Sequence, residues 1–560
     1  MFDTFTPETN LLNTLPSDLE KGIYNTLTIE PFFTNVQSEF SRNSGYALNY
    51  LLEQFPNIQI GKAITNYLNF NEPEFADPFS YNWTESDADR VDVLTGSSPN
   101  SQNANTNISL AATNDNLNSN SPQDFAPTIS IVPGTLRADR FSINPETNLT
   151  VVSGNGNVDF GTGAKDTLDL SQIFSNTVKF NFTYADRGGV IFNPGNGDRI
   201  YDAITLNNNN LILFEGIDAI QFADGLLNLS ITTNDPLFNQ QWNLHMMGVQ
   251  NAWRFTTGSN QVLVGVQDSG LGFNYFGNIH PDLKNASGYS NNISDDFSDS
   301  YTSHGTAVQS IISATSNNGI GMSGINWNSE VINIDVLDQD LNDQSLVEAT
   351  KNMINTANSK GQRLVINMSL GYSDTFGQNS DLELEQVVAN NPNVLFVIAA
   401  GNDGNLGIPG ISSPAVLAQQ YNNVIAVGAS WGTKDYFGYP KNPGQRIEYP
   451  AWFGWGSQYG DGLTLMGPSE VVSTKATSFL GVRFGYQTDF NGTSAATPNV
   501  TGVASLVWSV NPNLTAASVK QILSETAYDL GNPGYDIYNG YGFVNADAAV
   551  RRAMVTKPRG

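Results

Sequence analysis

The chain contains no cysteine. That excludes disulfides, thiolate nucleophiles, zinc–cysteine sites and iron–sulfur clusters together, and it leaves the redox compartment undecided. Histidine is almost as scarce: His245, His280 and His304 are all there is. Any imidazole chemistry must use one of these three. Basic residues are also few, 25 Lys and Arg against 53 Asp and Glu, for a formal net charge of −28. Such a chain repels nucleic acid and anionic membrane, so neither is expected as a partner, while cationic peptides and divalent metals are admitted. No apolar run approaches about 18 residues, so no membrane insertion is expected. The start of the chain has neither a basic nor an apolar region, so no Sec signal is expected. Export by another route and retention inside a bacterial cell both stay open.

What is present divides the 560 residues unevenly. Residues 1–92 mix short amphipathic stretches and form an N-terminal region of unknown role. Residues 93–126 are rich in Asn and Ser and read as a flexible linker. Residues 127–233 alternate short apolar runs with Gly, Asn and Asp clusters, which predicts a small β-rich domain. From 234 to 560 the character changes. Apolar runs at 262–267, 331–336, 364–368, 394–399 and 424–427 alternate with helical patterns. They lack strict alternation, as strands buried on both faces do. The pattern predicts an α/β fold with a doubly wound, mostly parallel sheet, in which sites lie just beyond the carboxyl ends of the strands.

Residues of one chemistry stand at those ends. Asp268-Ser269-Gly270 follows the first run, and His304-Gly305-Thr306 opens a helix. Gly401-Asn402-Asp403-Gly404 follows the fourth run, and Gly492-Thr493-Ser494-Ala495 opens a long apolar helix. A serine hydroxyl needs a base to take its proton during attack, and a carboxylate fixes the tautomer of that base. The oxyanion that forms needs preorganised donors, which a helix N-terminus and a side-chain amide supply.

The motifs DSG, HGT, NMSLG, AAGND and NGTSAATP, in this order, resemble the subtilisin-like serine proteases. The resemblance covers about residues 236–550 and implies their fold and a serine endopeptidase acting on protein or peptide substrates. It assigns Asp268 as the orienting acid, His304 as the general base and Ser494 as the nucleophile, in the chain order known for subtilisin. It makes Asn402 the oxyanion donor, and it lays substrate backbone along Ser369, Leu370 and Gly371. It also implies a calcium site built from the Asp282 carboxylate, the Asn318 side-chain oxygen, and backbone carbonyls of Ser316, Ile320 and Met322. Asp403 would border the pocket for the residue before the scissile bond. With Asp295, Asp296 and Asp299, where kexin-like relatives carry acids, it suggests a preference for Arg or Lys. His245 and His280 are expected to be structural.

Two rival functions share these residues: a transpeptidase or macrocyclase of the same fold, and a catalytically silent calcium-binding scaffold or adhesion protein. The segments 153–171 and 194–198 faintly resemble Gly/Asp-rich β-roll repeats, in too few copies to stack a roll. The front half is expected to act as an intramolecular regulator. No Lys or Arg lies between Arg199 and Arg254. An enzyme that cuts after basic residues therefore cannot free its catalytic domain near residue 234.

Overall fold

The computed structural model describes residues 107–108, 128–185, 187–272, 278–283, 304–337, 344–372, 375–450, 454–477 and 483–557. The regions 1–92 and, apart from 107–108, 93–126 lie outside these residues, as do Asp295, Asp296 and Asp299. The chain divides into two compact units, Met1–Thr84 and Glu85–Gly560, and every described residue belongs to the second.

The first part of that unit is a stack of parallel strands. Strand β1 (Asn107–Ile108) pairs antiparallel with β2 (Ile129–Pro133). Then follow β3 (Arg140–Ser142), β4 (Leu149–Ser153), β5 (Thr167–Leu170), β6 (Lys179–Asn181), β7 (Val190–Phe192), β8 (Arg199–Thr205), β9 (Leu211–Glu215), β10 (Ala219–Phe222) and β11 (Gly225–Asn228). Strands β2, β4 and β9 run parallel in one sheet, and β3, β5 and β10 run parallel in another. Each successive pair is one rung, so the chain makes three rungs. Phe141, Leu168 and Ile220 stand in register across one sheet and are buried between the two.

The segment 153–171 therefore does lie in a stack, in its second rung, whereas 194–198 falls in the inserted loop between β7 and β8. The third rung is formed by β9 and β10, with β6, β7 and β8 inserted between it and the second. Glycine marks the turns for a reason of contact. A Cβ on Gly154 would lie 2.1 Å from the Gly216 carbonyl oxygen of the next rung. Aspartates mark the next corner: Asp166 Oδ1 accepts the Asp139 N–H at 2.7 Å, and Asp218 Oδ2 accepts the Asp166 N–H at 2.9 Å.

The second part is α/β. Helices α1 (Trp242–Met246) and α2 (Val249–Ala252) lead into β12 (Val262–Asp268). They are followed by α3 (His304–Ser313), β13 (Glu330–Asp335), α4 (Leu346–Lys360), β14 (Arg363–Met368), α5 (Leu382–Asn390), β15 (Leu395–Ala399), β16 (Val424–Ser430) and β17 (Leu463–Pro468). The hairpin β18 (Val471–Thr477) and β19 (Arg483–Phe490) precedes α6 (Thr493–Val510), α7 (Ala516–Glu525) and α8 (Ala546–Val555). The sheet is wholly parallel in the order β13-β12-β14-β15-β16-β17. Five of its strands are the apolar runs read from the sequence. The sixth, β17, escaped because its LTLMGP sequence ends in Gly-Pro.

Helix boundaries follow local chemistry. Ser345 and Glu348 form a reciprocal capping box on α4, and Gly361 ends it at φ 65°. Helix α6 holds Pro498 inside it, buried against the sheet.

Candidate active site

Asp268 is the last residue of β12 and is fully buried. Its Oδ1 accepts the Ser269 N–H at 2.8 Å and lies 2.6 Å from His304 Nδ1. His304 is the first residue of α3, a quarter exposed, so its ring reaches the cleft. The glycines beside these residues let the two segments close. A Cβ on Gly305 would sit 2.2 Å from the Gly270 carbonyl oxygen, and Gly270 itself has φ 74°. Phe490, at the end of β19, stands edge-on to the His304 ring at 5.4 Å.

Ser494 is the second residue of α6. Its N–H belongs to the first turn, where a helix offers donors without internal acceptors. Its carbonyl would normally accept from residue 498, but Pro498 has no N–H. The Ser369 hydroxyl fills that place at 2.9 Å, and the Ser494 hydroxyl in turn donates to the Ser369 carbonyl at 3.1 Å. Helix α6 and the segment after β14 are thus locked together at Ser494. The segment Ser369-Leu370-Gly371 leaves the end of β14, with Ser369 buried and Gly371 exposed.

Asn402 follows β15 and is exposed. Its Oδ1 accepts from the Thr493 N–H at 2.9 Å and the Thr493 hydroxyl at 3.0 Å. With the oxygen held, Nδ2 is left as the outward donor beside Gly492, the φ 82° residue before the helix. Ser412 stands between the two loops. A Cβ on Gly371 would meet its Oγ at 3.2 Å, and a Cβ on Gly401 would meet it at 2.6 Å. Gln458 closes the back, donating to the Gly410 carbonyl at 2.9 Å. Asp403 is half-buried, its backbone bridged to Gly456.

Asp268 and Asn402 thus stand at or just beyond the carboxyl ends of strands of one parallel sheet, and His304 and Ser494 stand at the starts of helices packed on it. A sequence model of the subtilase family matches residues 259–542, half of the chain. The chain belongs to the subtilase family of serine proteases.

The chain is also similar to individual known proteases. The thermostable alkaline protease of Halalkalibacterium halodurans is 32% identical over 310 residues, 55% of this chain and 73% of that protein. Subtilisin BL of Lederbergia lenta is 32% identical over 300 residues, 53% of this chain and 93% of that protein. The minor extracellular protease Epr of Bacillus subtilis is 29% identical over 379 residues, 64% of this chain and 50% of that protein. Among solved structures, a protease of Pseudoalteromonas arctica is 25% identical, covering 57% of this chain and 99% of its own at a TM-score of 0.44.

The residues expected to hold calcium gather around the loop 316–322. Asp282 is buried; its Oδ1 accepts the Asn318 Nδ2 at 2.9 Å, and its Oδ2 accepts the Met322 N–H at 3.0 Å and the Tyr486 hydroxyl at 3.1 Å. Asn318 thus turns its nitrogen to Asp282, and its oxygen accepts the Ile320 N–H at 2.8 Å. Among the described residues, the carbonyls of Ser316, Ile320 and Met322 accept no hydrogen bond. No group of three or more His, Asp or Glu side chains suited to a metal occurs among the described residues.

Sequence reasoning missed several participants. Asp235, buried, collects the N–H groups of Asn317 at 2.7 Å and Asn318 at 2.9 Å on the same loop. Burial, and then the charge of Asp235, hold the Asp282 carboxyl above its usual range. Thr493, Ser369 as a hydroxyl, Phe490 and Gln458 were missed too. Thr493 stood in view inside the NGTS motif.

The other histidines are structural. His245 is fully buried, its Nε2 3.0 Å from the Phe238 carbonyl, and burial pushes its pKa down to about 4. His280 accepts the Asp282 N–H at Nδ1, 3.2 Å, with Nε2 3.0 Å from the Gly485 carbonyl.

Proposed function

We propose that this subtilase is an endopeptidase that hydrolyses peptide bonds through an acyl-enzyme on Ser494. The observation that carries this reading is the 2.6 Å contact between His304 Nδ1 and Asp268 Oδ1. It fixes the proton on Nδ1 and leaves Nε2 as the base. Substrate backbone adds alongside Ser369-Leu370-Gly371. The Ser494 hydroxyl leaves the Ser369 carbonyl and attacks, its proton passing to His304 Nε2. The carbonyl oxygen gains a negative charge and is met by Asn402 Nδ2 and the Ser494 N–H. His304 then protonates the leaving amine, and water attacking by the same route releases the acyl group.

A fluorophosphonate probe tests the chemistry: Ser494 should label, and Ser494→Ala should not. Product mass tests the outcome. Hydrolysed peptides support the reading, and ligated or cyclised peptides overturn it in favour of transpeptidation.

Asp403 at the pocket rim would favour Arg or Lys before the scissile bond. Asp403→Asn should then cost activity mainly on Arg and Lys substrates, and an equal loss on Phe and Leu substrates would sink the preference. The loop around Asp282 is rich in oxygen of the kind calcium takes, with two buried carboxylates and three carbonyls that accept no hydrogen bond among the described residues, and the Asn318 amide would have to turn its oxygen from the Ile320 N–H to join them. Asp282, Asn318 and the carbonyls of Ser316, Ile320 and Met322 would hold it. There calcium would offset the repulsion between Asp282 and Asp235. Chelation should lower the melting temperature, and an unchanged melt would remove calcium from the account. The region before residue 128 would act as an intramolecular regulator, and deleting it should change the rate of activation.

A further inference from the structure

We infer that residues 128–233 are a permanent part of the active protease, and that any maturation cut falls before Thr128. The argument starts from a charged network that neither part can satisfy alone. Asp202, in β8 of the three-rung stack, is fully buried. Its carboxylate takes Arg254 Nη1 at 2.8 Å and Arg551 Nη2 at 2.7 Å. Arg551 lies in α8, at the far end of the chain, and is itself fully buried. Its remaining donors go to Asp547 Oδ2 at 2.8 Å and to the Ile200 carbonyl at 3.0 Å, the latter again in the stack. Asp547 Oδ2 also accepts the Gly216 N–H at 2.9 Å, which takes up the open edge of the last rung.

Burying a guanidinium is tolerated only with its partners in place. Without the stack, Arg551 would keep Asp547 but lose Asp202 and the Ile200 carbonyl. Arg254 would lose the only carboxylate it pairs with among the described residues. Asp202 is held down to about 2, chiefly by these two arginines working against its burial.

Apolar packing says the same independently. Leu136, Val158 and Phe160 of the stack belong to the main core of the catalytic part, with Phe238 and Trp253. The Phe160 ring lies 4.8 Å from His245. The backbones approach so closely that a Cβ on Gly156 would fall 1.7 Å from the Met246 carbonyl oxygen. A segment meant to leave would not share a core with what it leaves. The absence of Lys or Arg between Arg199 and Arg254 fits, since it removes basic cleavage sites from the junction.

The test uses the full chain carrying Ser494→Ala, so that it cannot digest itself. A recognition site for a sequence-specific protease is inserted after the exposed Thr232, folding is verified by circular dichroism, and the chain is cut. The two fragments should co-elute in gel filtration at micromolar concentration and melt together. Separation, with the 233–560 fragment still folded, would overturn the inference. Adding Asp202→Ala to the cut chain should release the stack; continued co-elution would remove the ion-pair network from the argument. In the wild-type enzyme, the chain labelled by fluorophosphonate should begin before Thr128. A labelled, active chain beginning at or after Thr233 would end the proposal while leaving the serine-protease reading intact.

Discussion

Thr493 holds the side chain of Asn402, the proposed oxyanion donor. Its N–H and hydroxyl both donate to Asn402 Oδ1, at 2.9 and 3.0 Å, and its hydroxyl oxygen accepts the Gly401 N–H at 3.2 Å. Thr493→Val keeps the shape and removes the oxygen. One anchor on Asn402 then survives, and the part-buried Gly401 N–H is orphaned. A lost neutral bond and an orphaned donor together should lower stability by roughly 2 kcal/mol. The ceiling on the catalytic effect is loss of the Asn402 donor itself, about 100- to 1000-fold in kcat, a value known from a subtilisin rather than worked from this structure.

Halving the anchorage should cost less, about 10-fold, or ~1.4 kcal/mol. The loss should fall on kcat and spare KM, because the oxyanion exists only after attack. The assay is kcat and KM on a chromogenic peptide amide, completed as a double-mutant cycle with Asn402→Ala. If Thr493 acts through Asn402, its substitution should cost almost nothing once the amide is gone. A full loss persisting in the Asn402→Ala background, or a loss confined to KM, would refute the reasoning.

Three further outcomes follow from single contacts. Ser369→Ala should strand the Ser494 carbonyl that Pro498 leaves without a helical donor, costing about 1–3 kcal/mol; Pro498→Ala should restore part of this in urea unfolding of the inactive Ser494→Ala chain, and no restoration would break the link. His245, pushed down to about 4 in the fold, keeps its full contribution above pH 6.5 and loses it as pH falls toward 4. That is about 3 kcal/mol, and His245→Gln should flatten the dependence measured by denaturant melts at pH 5 and 7. Glu470 has the opposite sign: burial raises it from 4.5 to about 7, so stability present below pH 4.5 is lost as pH rises through 7. Glu470→Gln should gain on the order of 2 kcal/mol at pH 8 relative to pH 4.5, and an equal effect at both would refute it.

The catalytic part was legible because its signals are local. Buried parallel strands show as unbroken apolar runs, and the residues after them are where a parallel sheet puts its sites. Asp268 and Asn402 stand where that rule puts sites and His304 and Ser494 at helix starts, while the roles expected of all four come from the resemblance of their motifs to a known family. The rest depends on contacts that sequence spacing does not encode. Asp235 reaches the loop at Asn318 across 83 positions. Asn318 carries the right donor, yet which end of its amide faces Asp282 is a matter of packing. That the third rung joins the second was unreadable, because β6, β7 and β8 are inserted between them. Ser369 looked like a stretch of backbone, and only the carbonyl freed by Pro498 shows why its hydroxyl is there.

The pairing of Asp202 with Arg551 joins residues 349 positions apart. A growing chain at roughly 5–20 residues per second would wait on the order of 20–70 s between making the two. During that time Asp202 has Arg254 but not Arg551, and the Gly216 turn N–H has no Asp547 to accept it. The buried arginine thus makes completion of the first part of the molecule conditional on the synthesis of α8. A product stalled before α8 would hold a buried carboxylate only half paired, and would be recognisable as incomplete.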